Sequence, residues 1–292
     1  MDINTIAKKV GLLPEEDCSW AEDNVPLCKR GVKLAWLYQF VEQVDKHLED
    51  EWIQYEYQAK AATYFDYVPE PDRPQFPRYQ ILNPLFLVPN LIKPLTIKLK
   101  SPLYARVPVD QRGKPDVFIS HTWSQALITN NPFSTLHIIS EPMQMNKKFT
   151  DDSYIWMDLV AYNQHSIESI ALDIKAVIQS IGQLCLPLID AAPFSRLWCL
   201  WEILCAHVTK SDITVYEPFS YAQDIGYVAR VFSENFRSVS NASTTLPRDK
   251  EQILNAMIST FGSIRQTDEY LHKLVKEGLT KESDKPWYRP KP

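Results

Sequence analysis

Residues 115–236 predict an α/β domain built on a doubly wound parallel sheet, and three observations carry that prediction. Short apolar runs recur at 116–120, 154–160, 183–190 and 212–218. Stretches with helical periodicity separate them. The runs also end in polar residues, which suits strands whose carboxyl ends lead into loops. Strands alternating with helices imply a parallel sheet covered on both faces, and such sheets take ligands beyond the carboxyl ends of their strands.

Residues 1–64 are expected to be a helical N-terminal region. Within it, 31–64 reads as one helix, because Leu34, Leu37, Val41, Val44, Leu48 and Trp52 follow steps of three and four and build one apolar stripe. Residues 65–114 contain nine of the ten prolines between Pro69 and Pro115, which stops long helices. The apolar content there (Ile81, Leu82, Leu85, Phe86, Leu87, Val88) predicts chain wrapped around a domain rather than a bare linker, with 95–110 offering an edge strand. In the α/β region, DVFIS (116–120) predicts the first strand and 124–140 a helix interrupted by Pro132. YIWMDLV (154–160) predicts the second strand, and a helix over 166–182 is capped by Ser166 and ended near Gly182. QLCLPLID (183–190) predicts the third strand, with Pro187 suggesting an edge or a bulge. A helix over 196–209, with Ser195 as its cap, leads to the fourth strand, DITVYEP (212–218), and then to a helix over 222–236. Residues 237–292 predict helices near 249–261 and 265–277 and a terminal tail.

Composition narrows the function classes. The chain has 292 residues, 45% of them hydrophobic, with 31 Lys+Arg against 36 Asp+Glu. Without a basic tract, binding to nucleic acid is disfavoured. No secretory signal and no apolar run of membrane-spanning length is visible. Five cysteines, an odd number, set in core-like pattern disfavour a disulfide framework. A cytoplasmic location is therefore expected. No GxxxxGK[ST] run occurs and only 7 glycines are present, so kinase, ATPase and ordinary dinucleotide-dehydrogenase readings are poor. The 8 Trp, 14 Tyr and 12 Phe read as an aromatic core or a partner surface.

Polar residues gather after each predicted strand. Ser120, His121 and Trp123 follow the first strand. Asp158, Asn163, Gln164 and His165 belong to the second, and Asp190, Arg196, Trp198, Cys199 and Glu202 to the third. In a doubly wound sheet all three groups face one crevice. Glu202 is the sharpest of them. It lies two turns into a helix among aromatic residues, where desolvation raises a carboxyl pKa, and such a group stabilises a cation, attacks as a nucleophile or acts as a base. The alternative is a surface glutamate paired with Arg196 or Lys210. Asp158 either holds a ribose diol or caps the following loop. Trp123 and Trp198 either stack on a flat ring or belong to the core. His121 and His165 match no metal-ligand spacing, and Cys199 as a nucleophile requires a base and a lowered pKa.

Asp116-Val117-Phe118-Ile119-Ser120-His121 resembles the first-strand signature of Toll/interleukin-receptor (TIR) domains, which share a flavodoxin-like architecture. Ser195-Arg196-Leu197-Trp198-Cys199-Leu200-Trp201-Glu202-Ile203 resembles their later S-R-W-C-x-x-E-L helix with one residue inserted. The resemblance covers about residues 115–220. It implies either a non-catalytic module for signalling and assembly, oligomerising through TIR-like or N-terminal helical surfaces, or a hydrolase that releases nicotinamide from NAD. In the enzymes NAD is a substrate, no separate cofactor or metal is needed, and the glutamate matching Glu202 favours an oxocarbenium-like centre. The segment Trp156–His165 departs from the family pattern. A related fold, that of nucleoside deoxyribosyltransferases, also sets a carboxylate against a ribosyl carbon, so a transferase acting on another nucleoside-like substrate is a third reading.

Overall fold

The computed structural model describes residues 7–18, 25–47, 82–128, 134–140, 149–165, 171, 173–216 and 226–279. Six strands share one mixed sheet: β1 (Gly31–Lys33), β2 (Arg112–Gly113), β3 (Val117–Ile119), β4 (Tyr154–Trp156), β5 (Gln183–Pro187) and β6 (Asp212–Tyr216), in the order β2-β1-β4-β3-β5-β6. The run β4-β3-β5-β6 is parallel. β1 is antiparallel to both β2 and β4. The parallel part starts in its own middle, at β3, moves outward to β4, and then crosses to β5 and β6. That reversal leaves a crevice at the carboxyl ends of β3 and β5, the position where open α/β sheets bind ligands.

Side-chain alternation explains why these runs are strands. Val117, Ile119, Ile155 and Cys185 point into one core, and Phe118, Trp156, Leu184 and Leu186 into the other, all of them buried. Successive strand residues face opposite sides, so a strand apolar at every position needs cover on both faces. The first face is covered by helix α1 (Leu34–His47), through Leu37, Phe40, Val41 and Val44, and by the proline-rich chain, through Leu87, Leu91, Ile92, Leu95 and Leu103. Helix α2 (Thr135–Ser140) adds Leu136 and Ile139. The second face is covered by α3 (Asp173–Ile181), α4 (Leu197–Val208), α5 (Tyr227–Asn235), α6 (Pro247–Phe261) and α7 (Ile264–Glu277). Burying one side chain such as Phe40 stabilises by about 1.5–3 kcal/mol, so both jackets are integral to the sheet. Phe118 and Trp156, neighbours on β3 and β4, stack with ring centroids 4.4 Å apart.

Several elements differ from expectation. Gly31–Lys33 is a strand rather than helix: Val32 pairs with Arg112 on one side and Ile155 on the other. Gly31 suits this site because a Cβ there would lie 2.8 Å from the Gly113 carbonyl. The rest of the expected helix, 48–64, falls outside the described residues. The expected edge strand over 95–110 is absent. The chain turns at Lys100, whose φ is 46°, and Pro102 and Pro108 each precede a short 3-10 turn. The edge is β2 instead. Residues 84–95 coil in helical turns despite three prolines, and Pro84 occupies the first turn, where its missing N–H costs nothing, with Asn83 capping through Phe86 N at 3.0 Å.

The second strand ends at Trp156, and Asp158–Ala161 forms a helical turn. Of the helix expected over 124–140 only α2 forms among the described residues. Pro187 marks neither an edge nor a bulge, since β5 is interior to the sheet. Ser120 N donates to Cys185 O at 2.9 Å and Leu188 N to Tyr216 O at 2.8 Å. By that alternation the donor missing at Pro187 faces β3's side, where β3 has already ended. Ser195 does not cap α4; the cap position is Arg196, and the Ser195 hydroxyl turns back to Ala192 O at 3.0 Å. Ser166 lies outside the described residues. The two C-terminal helices form as expected, separated at Gly262, whose φ is 94°. No helix among the described residues is long and apolar enough to cross a membrane.

Candidate functional site

The carboxyl ends of β3 and β4 and the start of α4 enclose a cavity of about 230 Å³. Eight of the residues expected to form a site line it: His121, Trp123, Asp158, Gln164, Arg196, Trp198, Cys199 and Glu202. Ser120 stands behind them and contacts Glu202. The sheet explains the convergence. His121 and Trp123 follow β3, Asp158 follows β4, and α4 enters the crevice after crossing from β5.

Glu202 is held by one short bond, Ser120 Oγ donating to its Oε2 at 2.6 Å. Around it on α4, Leu200, Trp201, Ile203, Cys205 and Ala206 are all buried. Glu202 itself keeps partial exposure, and that exposure opens into the cavity rather than to bulk water. Desolvation therefore pushes its carboxyl well above the ordinary carboxylate range. The Ser120 hydrogen bond opposes this, and the negative charge of Asp158 adds to it. The alternative surface pairing is not formed: the Arg196 guanidinium binds Ser243 Oγ at 3.2 Å and Thr245 Oγ1 at 2.6 Å instead.

Asp158 is shared between two neighbours. Trp123 Nε1 donates to its Oδ2 at 2.7 Å. Its Oδ1 lies 3.6 Å from His121 Nε2, beyond hydrogen-bond reach. Both of those facing atoms are buried without a hydrogen-bond partner. Gln164 Nε2 ties the loop to Asp158 O at 2.9 Å. Trp198 Nε1 donates to Asp249 Oδ2 at 3.2 Å, so its ring is pinned at the wall. The Cys199 thiol lacks the lowered pKa that nucleophilic attack requires. Burial, with Glu202 nearby, pushes it well above the ordinary thiol range, and it donates to His121 O at 3.5 Å. A thiolate requires stabilising positive charge or solvent, and neither dominates there.

Three expected site residues serve the scaffold instead. Asn163 Nδ2 donates to Lys100 O at 2.7 Å. His165 Nε2 bonds with Thr96 Oγ1 at 2.8 Å, docking the loop on the proline-rich jacket. Asp190 Oδ1 accepts from Gln125 Nε2 and from Ala192 N, each at 2.8 Å, and so shapes the turn before α4. None of the three lines the cavity. No group of three or more His, Cys, Asp or Glu among the described residues is arranged to hold a metal ion.

Other residues of the wall were not anticipated. Lys93 reaches it from the proline-rich jacket, and Thr245, Leu246, Arg248 and Asp249 from the segment entering α6. That segment is fixed by backbone bonds, Leu197 N to Ser243 O and Ser243 N to Ser195 O, both at 2.9 Å. Main-chain pairing has no side-chain signature. The only local signal is polar, the run Ser243-Thr244-Thr245 with Arg248-Asp249 opening a helix. No family model, curated protein or solved structure matches this chain.

Proposed function

We propose that the protein is a hydrolase that cleaves the N-glycosidic bond of NAD or a related nucleotide, with Glu202 as the catalytic residue. The observation that carries the reading is a desolvated carboxylate, oriented by Ser120 at 2.6 Å, opening with Asp158 into an enclosed cavity at the strand ends. The TIR-like segments 116–121 and 195–203 support it, since both converge on this cavity.

The chemistry follows from the charges. The C1′–N bond breaks with its electron pair passing to the base nitrogen, which neutralises a pyridinium leaving group without an acid. Positive charge develops on the sugar beside Glu202. Two unit charges 4 Å apart attract by about 4 kcal/mol at an effective dielectric of about 20, which corresponds to about 10³-fold in rate. Water then attacks C1′, and its proton passes to a carboxylate and on to solvent. A raised carboxyl pKa suits this task. The empty pocket favours the protonated acid, and a cationic substrate favours the ionised form, so binding itself charges the group. Asp158 Oδ1 and His121 Nε2 are free to meet sugar hydroxyls. A cavity of about 230 Å³ lies below the ~300–1,000 Å³ of ordinary ligand pockets, which fits a ribose and its base rather than a whole dinucleotide.

The test is nicotinamide release from NAD by wild type, Glu202→Gln and Glu202→Ala at matched folded concentration. Wild-type turnover should fall by at least ~10²-fold in both variants. Undiminished turnover in Glu202→Gln removes the electrostatic role, and no turnover by wild type removes NAD as the substrate.

A further inference from the structure

We infer that the cavity carries a second subsite, for a phosphate group, formed by Lys93, Arg196 and Arg248, so that its ligand is a sugar phosphate or nucleotide rather than a free nucleoside. The inference rests on the glycosidase reading for the sugar's position, and its test separates the two.

Charges in the wall are sorted by depth. Lys93 is exposed and Arg196 half-buried, and the Arg248 side chain is 45% exposed. Asp158 and Glu202 lie deeper, with the Asp158 side chain 28% exposed. The exposed cations Lys93 and Arg248 thus form a rim, with the less exposed carboxylates of Asp158, Glu202 and Asp249 below it. The partners of the cations leave them available. Among the described residues Arg196 binds the neutral hydroxyls of Ser243 and Thr245 and forms no ion pair. Lys93 has no ion-pair partner among the described residues. Arg248 has one loose contact, its Nε 3.8 Å from Asp249 Oδ1, and Asp249 is itself engaged by Trp198. The three cations come from three separate stretches of chain and all line the cavity. Arg196 is the cap residue of α4 and supplies no side-chain cap, and Trp198 and Cys199 of the first turn also line the cavity.

A second observation, independent of the cations, points to a polar ligand below the rim. His121 Nε2 and Asp158 Oδ1 face one another at 3.6 Å, the His121 side chain is 2% exposed, and neither atom has a hydrogen-bond partner among the described residues. A hydroxyl both donates and accepts. One sugar hydroxyl between them satisfies both atoms, and places the sugar on the floor with its phosphate directed to the rim. Guanidinium groups suit phosphate because their donors match two of its oxygens at once.

The experiment is calorimetric titration of the full chain with ribose 5-phosphate, ribose and inorganic phosphate, for wild type and for the Lys93→Ala/Arg248→Ala double variant. Both substituted side chains are exposed, and an unchanged melting transition verifies folding. Wild type should bind ribose 5-phosphate at least tenfold more tightly than either ribose or inorganic phosphate, and the preference over ribose should fall to within twofold in the double variant. Arg248→Lys alone, which keeps the charge, should retain most of it. Equal wild-type affinities, no binding of ribose 5-phosphate, inorganic phosphate binding as tightly as the sugar phosphate, or an unchanged preference in the double variant would each overturn the subsite. If ribose 5-phosphate binds and the double variant loses the preference while no N-glycoside is cleaved, the phosphate subsite stands and the glycosidase reading falls.

Discussion

Replacing Glu202 by Gln tests the desolvation on which the site depends, and does so without a substrate. The folded protein holds this carboxyl well above the ordinary carboxylate value, mainly through burial. The unfolded chain releases the proton near that ordinary value. Between the unfolded and folded pKa values the native state therefore binds more protons than the unfolded state, and stability falls as pH rises, by up to about 1.4 kcal/mol per pH unit for one group. The favourable contribution is complete below the unfolded pKa and is lost as pH rises through the folded one. Gln keeps the shape, accepts the Ser120 hydroxyl and has no proton to lose. The assay is urea unfolding of both proteins at half-unit intervals from pH 4.5 to 7, compared as a difference so that other titrating groups cancel. Glu202→Gln should gain on wild type with rising pH, along a slope approaching that limit. A difference that is flat across the range would show that Glu202 is solvated, and would refute the electrostatic argument along with it.

The remaining predictions concern the neighbours of that group and the jackets around it. Ser120→Ala removes a hydrogen bond to a charged acceptor, worth about 1.5–3 kcal/mol, so the acid limb of nucleotide cleavage should move up by about one to two pH units; an unmoved limb would mean that Ser120 does not set the ionisation. Gly31→Ala forces a Cβ to within 2.8 Å of Gly113 O and 2.9 Å of Pro115 Cα, and should cost about 1–3 kcal/mol by overpacking, read as a lower urea midpoint. Leu37→Ala, at a fully buried position of α1, should cost about 2–5 kcal/mol and lower a single melting transition. Two separate transitions would show instead that α1 does not belong to the sheet's core.

What the sequence makes legible follows from the range over which each interaction acts. β3 and β5 show themselves locally because they are buried on both faces and read as largely apolar runs, and β6 because Ile213, Val215 and Tyr216 are apolar and buried. α6 and α7 show themselves by periodicity. β1 does not, since three residues gain strand geometry only by pairing with Arg112–Gly113 and Tyr154–Ile155, far along the chain. Pro187 misleads because the cost of its missing N–H depends on where β3 ends, which is a property of register. Within the site, Glu202, Asp158 and His121 are legible because parallel topology collects strand ends. Asn163, His165 and Asp190 sit at equally plausible positions, and only the tertiary structure shows their hydrogen bonds spent on Lys100, Thr96, Gln125 and Ala192. Arg248 and Lys93 were invisible as site residues because they reach the cavity through backbone bridges and packing of remote segments.

At this cavity the protein departs from what stability alone prefers. On α4 every position flanking Glu202 toward the sheet is apolar and buried, and an apolar residue at 202 would avoid the desolvation that raises its pKa. Stable folds rarely keep a buried ionisable group without a full set of partners, and local violations of this kind concentrate at functional sites. Here two more coincide with it: His121 Nε2 and Asp158 Oδ1 are buried, face each other across 3.6 Å and are both unsatisfied. All three groups line the same cavity, at the carboxyl ends of β3 and β4. Each is costly without a polar or charged group beside it. A bound sugar with a developing positive charge offers a cation to Glu202 and a hydroxyl to the His121–Asp158 pair, so the same ligand relieves every one of them. A protein-interaction surface has no such need of a desolvated carboxylate at the floor of a cavity, and it is this shared remedy, more than any single contact, that favours a catalytic pocket.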